Sequence, residues 1–371
     1  MNLFVYGTLQ SIPLMQAVAG GRLGNPVVAQ LSGFAVRKHA GDVVPLLCSA
    51  VGQVADGIVF SDLDAVQMQR LDIYESAFGY KLEDVTLATA QGNVMDQVYM
   101  PPAGAKATNE GWSFSEWLDQ HKAPAIAAAT ELFSLDPVPE GAQLRSMWPM
   151  IETRAWAKSR AVAGPAKHRY APSQGDVGIT LQHPPQGRFF RYNSVALRHR
   201  TFRNTQSDAL PREAFVGIDA AILLPYDAAR DRVLLVEQIR LGPALRGDPN
   251  PWMLEPIAGI VDARETPEEA AYREAAEEAQ IKLDHLAHAG SFYPSPGATT
   301  DYFYTYVGLC DLPMTQAYLG GLPGESEDLR LHPLSFEAAM NLLDTGEIAT
   351  GPLFYLLYWL ARHRGRLRSL T

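Results

Sequence analysis

Two consecutive stretches, Gly259-Ile-Val-Asp-Ala-Arg-Glu265 and Arg273-Glu274-Ala-Ala-Glu277-Glu278-Ala-Gln280-Ile281, decide the fold of the second half of this chain. If the second stretch is helical, Glu274, Glu277 and Glu278 lie three and four residues apart and share one face. Like charges at this spacing repel each other unless cations lie among them, and clustered carboxylate oxygens suit Mg²⁺ or Mn²⁺. The pattern therefore predicts a divalent-metal site. The alternative is a solvent-exposed acidic helix face.

The residues between the two stretches predict where this helix begins. Thr266 suits the N-cap, the proline after it suits the first helical position, and Glu269 can close a capping box. Glu265 and Arg273 are interpreted as an ion pair that stabilises the fold rather than as catalytic groups.

Composition limits the classes of protein to consider. The chain has 371 residues, 47% hydrophobic and 19% charged, which predicts an ordinary globular protein of two or three domains. Its net charge of −10 argues against non-specific nucleic-acid binding. Cys48 and Cys310 are too few for a disulfide framework, and the N-terminus lacks the pattern of a signal peptide. We expect a cytoplasmic protein without nucleic-acid or membrane partners.

The distribution of strands and helices predicts an α/β (α+β) protein with four regions. Residues 1–105 contain mostly short strands and one helix, and residues 106–164 contain two helices that we expect to pack on the first domain. Residues 165–187 are rich in proline and glycine without periodicity, which indicates a linker. Residues 188–371 begin with strong strands, including one expected over 215–224, and carry the acidic helix.

Read as G-x5-E-x7-R-E-U-x-E-E-x-G-U, where U is a bulky aliphatic residue, the two stretches resemble the signature of the Nudix hydrolases. These enzymes cleave nucleoside diphosphates linked to another group. Two positions depart from the signature: Ala275 is small for its aliphatic site, and Gln280 replaces a glycine. That glycine ends the helix in a left-handed turn, so Gln280 is expected to cost about 1 kcal/mol there.

Further segments resemble the ADP-ribose pyrophosphatase branch of that family, over residues 189–367. They are Glu237-Gln-Ile-Arg240, Pro251-Trp252-Met-Leu-Glu255, Ser295-Pro-Gly297 and Glu325-Ser-Glu327-Asp328. The resemblance implies an α/β/α sandwich with a mixed sheet, a homodimer, and Mg²⁺-dependent hydrolysis of ADP-ribose to AMP and ribose 5-phosphate, with Mn²⁺ as a possible substitute. Two alternatives remain: a different nucleoside diphosphate sugar or dinucleotide as substrate, and a sensor that binds ADP-ribose without turnover.

The resemblance also implies a role for each matching residue. The metal ligands would be the carbonyl of Ala258 and the carboxylates of Glu274, Glu277, Glu278 and Glu327. Glu325 would act on the attacking water, with Glu277 supporting the cluster. Arg212 and Arg240 would grip the diphosphate or the terminal ribose, although Arg240 could instead pair with Glu237 or Glu255. The turn at Ser295 and Gly297 would shape the ribose side of the pocket, next to Asp301, where the branch often has glutamate.

The N-terminal motif Phe4-Val5-Tyr6-Gly7-Thr8-Leu9, with Leu71-Asp72-Ile-Tyr74-Glu75 later, resembles the gamma-glutamylcyclotransferase-like domains. These are small β-barrels that cyclise gamma-glutamyl groups to 5-oxoproline. The resemblance implies that Tyr6, Gly7, Thr8 and Leu9 cradle a gamma-glutamyl compound and that Glu75 shuttles the proton of the attacking amine. Ser76 stands where glycine is common. The alternative is a non-catalytic module that senses a ligand or forms oligomers.

Overall fold

The structure is a computed structural model that describes residues 1–162, 164–314, 316–321 and 328–369. The chain forms two compact units, Met1–Arg212 and Glu213–Thr371. No helix in the described residues is long and apolar enough to cross a membrane.

Within the described residues, the first unit contains nine strands, one of which continues into the second unit, four α-helices and a short 3₁₀ helix over Thr8–Gln10. The strands are β1 (Leu3–Val5), β2 (Val27–His39), β3 (Pro45–Phe60), β4 (Lys81–Thr89), β5 (Gly92–Met100), β6 (Ala107–Gly111), β7 (Val177–Leu181), β8 (Arg191–His199) and β9 (Leu210–Val216). The helices are α1 (Ile12–Ala19), α2 (Ala65–Ser76), α3 (Phe114–Leu132) and α4 (Gly141–Arg160).

Strands β1 to β5 close into a barrel, as the resemblance implied. Their order is β3-β1-β5-β4-β2, and β2 pairs back with β3 to complete the ring. Because side chains alternate along a strand, Phe4 packs with residues of β2 to β5, whereas Leu3 and Val5 pack with helices α1, α2 and α3. Strand β1 is therefore buried on both sides, which fixes the glycine turn that follows it.

Two helices extend this barrel, and a buried charge cluster fixes the chain beyond them. Glu131 on α3 accepts hydrogen bonds from Arg154 on α4 at 2.6 Å and from Arg191, the first residue of β8, at 3.0 Å. Both arginine side chains are only 2% exposed. Two positive charges on one carboxylate attach the start of β8 to the helical extension. Residues 188–212 thus lie in the first compact unit, and the predicted domain boundary at residue 188 stays a prediction.

Part of the stretch predicted as a linker forms strand β7. This strand pairs antiparallel with β8, and β9 completes a three-stranded sheet. Its partner β8 follows only after residues 182–190, and the proline- and glycine-rich composition of residues 165–187 does not indicate this pairing.

The second unit contains eight strands and four helices within the described residues. The strands are β10 (Asp219–Asp227), β11 (Arg232–Ile239), β12 (Trp252–Glu255), β13 (Ile257–Ile260), β14 (His285–Phe292), β15 (Tyr302–Leu309), β16 (Tyr318–Gly320) and β17 (Leu329–Ser335). The helices are α5 (Leu241–Arg246), α6 (Pro267–Ala279), α7 (Phe336–Thr345) and α8 (Gly351–Arg368).

These strands form one mixed sheet between two helical layers, which confirms the expected α/β/α sandwich. The order is β14-β15-β10-β11-β17-β16, with β12 on β11 and β13 on β10, and β10 runs parallel to β15. Ala221 and Leu223 of β10 face the alanines of α6, whereas Ile222 and Leu224 face α7 and α8. The strand expected over 215–224 is divided between β9 and β10, because the chain leaves the strand conformation at Gly217 and Ile218.

Candidate functional sites

Helix α6 begins and ends where the sequence predicts. The Thr266 side chain accepts a hydrogen bond from the Glu269 N–H, and the Glu269 carboxylate accepts one from the Thr266 N–H, which completes the capping box. Gln280 at the C-cap has a φ of 55° and a ψ of 33°, the left-handed conformation that favours glycine. Both the helix and its strained end are confirmed.

Small residues let α6 lie close to the sheet. Ala270, Ala271, Ala275 and Ala279 are buried against β10 and its neighbours. Ala275, small for its place in the signature, is therefore one of a row of four alanines at the contact. The same packing buries Glu278, which is 2% exposed, at the edge of this interface.

The backbone of β13 and the carboxylate of Glu274 are in direct contact. Strand β13 pairs antiparallel with β10, placing Ala258 opposite Ile222 and Gly259 opposite Ala221. A Cβ added to Gly259 would overlap the Glu274 carboxylate. Only glycine leaves room for this approach, so the glycine of the signature brings the carboxylate of Glu274 next to the Ala258–Gly259 backbone.

Arg273 lies among the acidic residues of α6. Its guanidinium pairs with Glu265 through two hydrogen bonds of 2.9 Å, and its Nη1 lies 2.5 Å from Glu274 and 3.0 Å from Glu277. Nη2 also donates to the carbonyl of Ile260, the last residue of β13. This confirms the predicted Glu265–Arg273 pair and adds three contacts that were not predicted, with Glu274, Glu277 and the Ile260 carbonyl.

The donor set of this region fits a hard divalent cation. Within the set formed by Glu265, Glu274, Glu277, Glu278 and Arg273, four carboxylates and one guanidinium leave a formal charge of −3. Carboxylates and a backbone carbonyl are the oxygen ligands that Mg²⁺ takes, together with water and substrate phosphates. The described residues contain no group of three or more His, Cys, Asp or Glu side chains arranged to hold a metal ion by themselves. A site that shares its cation with a substrate diphosphate needs fewer protein ligands.

The two predicted phosphate-gripping arginines have different surroundings. Arg240, between β11 and α5, donates from Nε to Glu255 at 2.6 Å and keeps 40% of its side chain exposed. Burial raises the pKa of Glu255, and Arg240 partly opposes that rise. Of the two predicted pairing partners, Arg240 thus contacts Glu255. Arg212, the last residue of the first unit, is exposed and donates to the carbonyl of Pro211.

The predicted ribose-side turn is exposed, and Asp301 beside it bonds to the backbone. The Ser295 carbonyl accepts the N–H groups of Ala298 and Thr299, both at 3.0 Å. Gly297 faces open space. The Asp301 carboxylate accepts the Ile218 N–H at 3.2 Å. Glu325 and Glu327 lie outside the described residues.

In the first unit, the glycine turn is formed by β1 and a short 3₁₀ helix over Thr8–Gln10. The buried Tyr6 donates its hydroxyl to the Tyr99 carbonyl at 3.1 Å, and Leu9 is part of the core. A Cβ on Gly7 would overlap Pro45, so this turn lies directly against the start of β3.

Glu75 is partly buried in the last turn of α2, and burial raises its pKa to about 7. Tyr6, Tyr80 and Tyr99 lie close enough for its charge to raise their pKa values further, beyond the effect of burial. Their hydroxyls donate elsewhere: to the Tyr99 carbonyl, the Pro45 carbonyl and, at 2.5 Å, the Asp72 carboxylate. The carboxyl group of Glu75 thus titrates near neutrality beside the predicted cradle.

Comparisons with known proteins agree with this geometry. Residues 217–350 match the NUDIX domain family, and residues 3–119 match the family described as gamma-glutamyl cyclotransferase, AIG2-like. Over 196 residues, 53% of this chain, it is 36% identical to an ADP-ribose pyrophosphatase of Escherichia coli strain K12, covering 93% of that protein. The chain belongs to the Nudix family.

Two further relatives of the Nudix domain are named for different substrates, ADP-ribose and GDP-mannose. An ADP-ribose pyrophosphatase of Haemophilus influenzae is 33% identical over 199 residues, 53% of this chain and 91% of that protein. A GDP-mannose pyrophosphatase of Enterobacter sp. strain 638 is 28% identical over 170 residues, 46% of this chain and 82% of that protein. Both resemblances stated from the sequence, Nudix and cyclotransferase-like, are thereby confirmed.

Several contacts in the Nudix and cyclotransferase-like domains could not be predicted from sequence. The Arg273–Glu277 contact is an exception: it could have been predicted, because the two residues lie four apart on a helix. The Tyr99–Asp72 hydrogen bond and the contact of Gly7 with Pro45 join residues 27 or more positions apart. The roles assigned to individual site residues stay predictions.

Proposed function

We propose that the Nudix domain hydrolyses the diphosphate of ADP-ribose to AMP and ribose 5-phosphate in a Mg²⁺-dependent reaction. The observation that carries this proposal is the direct contact of the Glu274 carboxylate with Gly259, beside the buried Glu278. Relatives named ADP-ribose pyrophosphatase, 33% and 36% identical, support the choice of substrate.

In this proposal the metal ligands are the Ala258 carbonyl, Glu274 and Glu278, supported by Glu277 and by Glu327, and Mn²⁺ can use the same donors. A bound divalent cation neutralises charge on the diphosphate oxygens and lowers the pKa of a coordinated water. Arg273 orients the carboxylates of Glu274 and Glu277, because it donates to both. These carboxylates are then ready to receive a cation and substrate together.

The reaction balances as a simple hydrolysis. The oxygen of water forms a bond to the adenosyl-side phosphorus, and the bond from that phosphorus to the bridging oxygen breaks. The bridging oxygen leaves with ribose 5-phosphate. Glu325 is the proposed acceptor of the water proton. Among the described residues, the candidate for this role is Glu277, whose side chain is 35% exposed. Arg240 and Arg212 bind phosphate or ribose oxygens, which suit a planar guanidinium. Ser295, Gly297 and Asp301 form the ribose side.

The decisive experiment is an assay with Mg²⁺ and a panel that contains ADP-ribose, GDP-mannose and a dinucleotide. We expect AMP release from ADP-ribose by the wild type, and loss of at least about 100-fold in Glu278→Gln, which removes one ligand charge. Faster turnover of another panel member would favour the alternative substrate, for which the GDP-mannose pyrophosphatase relative gives a precedent. Tight ADP-ribose binding without AMP release would favour a sensor.

We further propose that the first domain cyclises gamma-glutamyl compounds, with Glu75 as the proton-transferring group. A carboxyl group with a pKa of about 7 can both accept and return a proton at neutral pH. The turn of Tyr6, Gly7, Thr8 and Leu9 presents backbone N–H groups to the substrate. Release of 5-oxoproline, abolished in Glu75→Gln, tests this activity; failure across gamma-glutamyl amines and peptides would favour a non-catalytic ligand-binding module.

We also propose a cytoplasmic homodimer. Val177, Ile179 and Leu181 lie on one face of the edge strand β7, and all three are exposed, as expected of a surface that a second copy covers. Light scattering across a dilution series tests this, and Ile179→Ser should weaken association. The free thiols of Cys48 and Cys310 suit a reducing compartment.

A further inference from the structure

The last turn of helix α6 is held from outside by the chain around strand β16. The N–H of Gly321, directly after β16, donates to the Glu278 carbonyl at 2.9 Å. Carbonyls in the last turn of a helix have no partner within the helix, so this hydrogen bond satisfies one of them. The carbonyl belongs to the same residue whose carboxylate is a proposed metal ligand.

The contact requires glycine at position 320 for reasons of space. A Cβ on Gly320 would overlap the Glu278 carbonyl oxygen and the Cδ1 atom of Leu331. The backbone of Gly320 has no left-handed φ, so conformational freedom is not the requirement there. Gly321, by contrast, has a φ of +89°, which favours glycine.

Strand β16 is itself fixed by the sheet. It pairs antiparallel with β17, placing Gly320 opposite Leu329 and Tyr318 opposite Leu331, and both leucines are buried. The helix end that it touches contains the strained Gln280. A strand paired with the sheet therefore contacts a helix terminus that its own residues stabilise poorly.

We propose that Gly320 and Gly321 are positioning residues for Glu278: they seat its backbone against the sheet edge so that its carboxylate stays in the metal site. This inference rests on the proposed function of the Nudix domain. A methyl group at position 320 displaces either the strand or the last turn of α6, and with it the Glu278 side chain. Residues that support a ligand in this way typically change metal affinity by about 10- to 100-fold when altered.

Mn²⁺ binding to the full-length protein in the presence of an uncleavable ADP-ribose analogue, followed by electron paramagnetic resonance, tests the inference without turnover, because the cation of the proposed site is shared with a diphosphate. We expect Gly320→Ala to weaken Mn²⁺ binding by roughly 10-fold or more, with a circular dichroism spectrum like that of the wild type. Gly365→Ala on helix α8, where an added Cβ meets open space, is the matched control and should bind Mn²⁺ normally. Equal Mn²⁺ affinity in wild type and Gly320→Ala, or no Mn²⁺ binding by the wild type, would overturn the proposal.

A double variant separates the two neighbours of Gly320. Leu331→Val removes the Cδ1 atom that a methyl group would meet. If the effect of Gly320→Ala comes through Glu278, adding Leu331→Val leaves Mn²⁺ binding weak. Full recovery in the double variant would place the effect in the leucine packing and refute the inference.

Turnover distinguishes this inference from the proposed function. We expect the kcat of Gly320→Ala to recover at high Mg²⁺ while its KM for ADP-ribose changes little, which a general loss of structure would not produce. A wild type that binds Mn²⁺ but leaves ADP-ribose intact would refute the proposed function alone. If Gly320→Ala fails to fold, hydrogen exchange on the wild type decides: the Gly321 amide must be protected, and rapid exchange there contradicts the proposal.

Discussion

Arg273 and Glu265 form a two-point ion pair: Nε and Nη2 of the arginine each lie 2.9 Å from a different oxygen of the carboxylate. The pair joins α6 to the loop after β13, and Arg273 also donates to the carbonyl of Ile260. This geometry fixes the distance between the end of strand β13 and the acidic face of the helix. The ion pair therefore supports the proposed metal site without supplying a ligand to it.

Replacing Arg273 should destabilise the Nudix domain and disturb the acidic cluster. Arg273→Met leaves Glu265, Glu274 and Glu277 without their shared partner, so we expect a loss of about 2–4 kcal/mol in the free energy of unfolding. Arg273→Lys keeps the charge but loses the second hydrogen bond to Glu265, so its loss should be about half as large. Urea denaturation measures both.

The exposed pair of Lys38 and Glu110 provides the control for the Arg273 variants. Its charges are 2.9 Å apart but face solvent, so Lys38→Met should leave the free energy of unfolding close to that of the wild type. Similar losses in Arg273→Met and Lys38→Met would contradict the structural role assigned to Arg273.

The end of α6 offers a stabilising substitution. Gln280 holds a left-handed conformation that costs residues other than glycine about 1 kcal/mol, so Gln280→Gly should raise the free energy of unfolding by about 0.5–1 kcal/mol. Gly346, at the same cap position on α7 with a φ of 79°, is the reverse control. Gly346→Ala should lower stability by about 1 kcal/mol. No gain in Gln280→Gly would show that other contacts of Gln280 outweigh the strain.

Asp301 provides a test between a structural role and substrate recognition. Its Oδ1 accepts the Ile218 N–H, and a Cβ on Gly217 would overlap its carboxylate, so the side chain is packed against the backbone before β10. Asp301→Ala should therefore cost about 1 kcal/mol of stability. Asp301→Asn can keep the acceptor oxygen, so its stability and its KM for ADP-ribose should stay close to wild type. A large KM increase in Asp301→Asn would favour ribose recognition through the charge.

The sequence predicted well those features that depend on neighbours along the chain. The capping box of Thr266 and Glu269 and the left-handed Gln280 both follow from local residue preferences. Contacts that depend on distant partners were missed. Strand β7 exists because β8 pairs with it, and Glu131 binds Arg191 across 60 positions. Residue preferences within a short segment do not reveal such partners.

The same distinction applies to the candidate sites. The register of Glu274, Glu277 and Glu278 was readable because helical spacing is regular. The requirement for glycine at positions 259 and 320 could not be predicted, because at each position the space for a side chain is taken by an atom of α6 that folding brings close. Glu75 could be singled out from its motif, but its raised pKa could not be predicted, because it depends on burial in the folded domain.

The raised pKa of Glu75 makes stability depend on pH in a defined direction. Its pKa is about 7 in the folded protein and near 4.5 when the chain is unfolded, so between these values the folded state binds more protons. Stability linked to this group is therefore greatest below about pH 4.5 and declines as pH rises to about 7, by on the order of 1–3 kcal/mol.

Glu75→Gln stays neutral at every pH and should remove this decline in stability. Thermal unfolding should show a higher Tm than wild type at pH 8 and a similar Tm at pH 4.5, whereas a Tm difference independent of pH would show that Glu75 titrates normally. For the proposed cyclotransferase activity, we expect the rate to rise with pH through about 7, as the base form of Glu75 becomes populated.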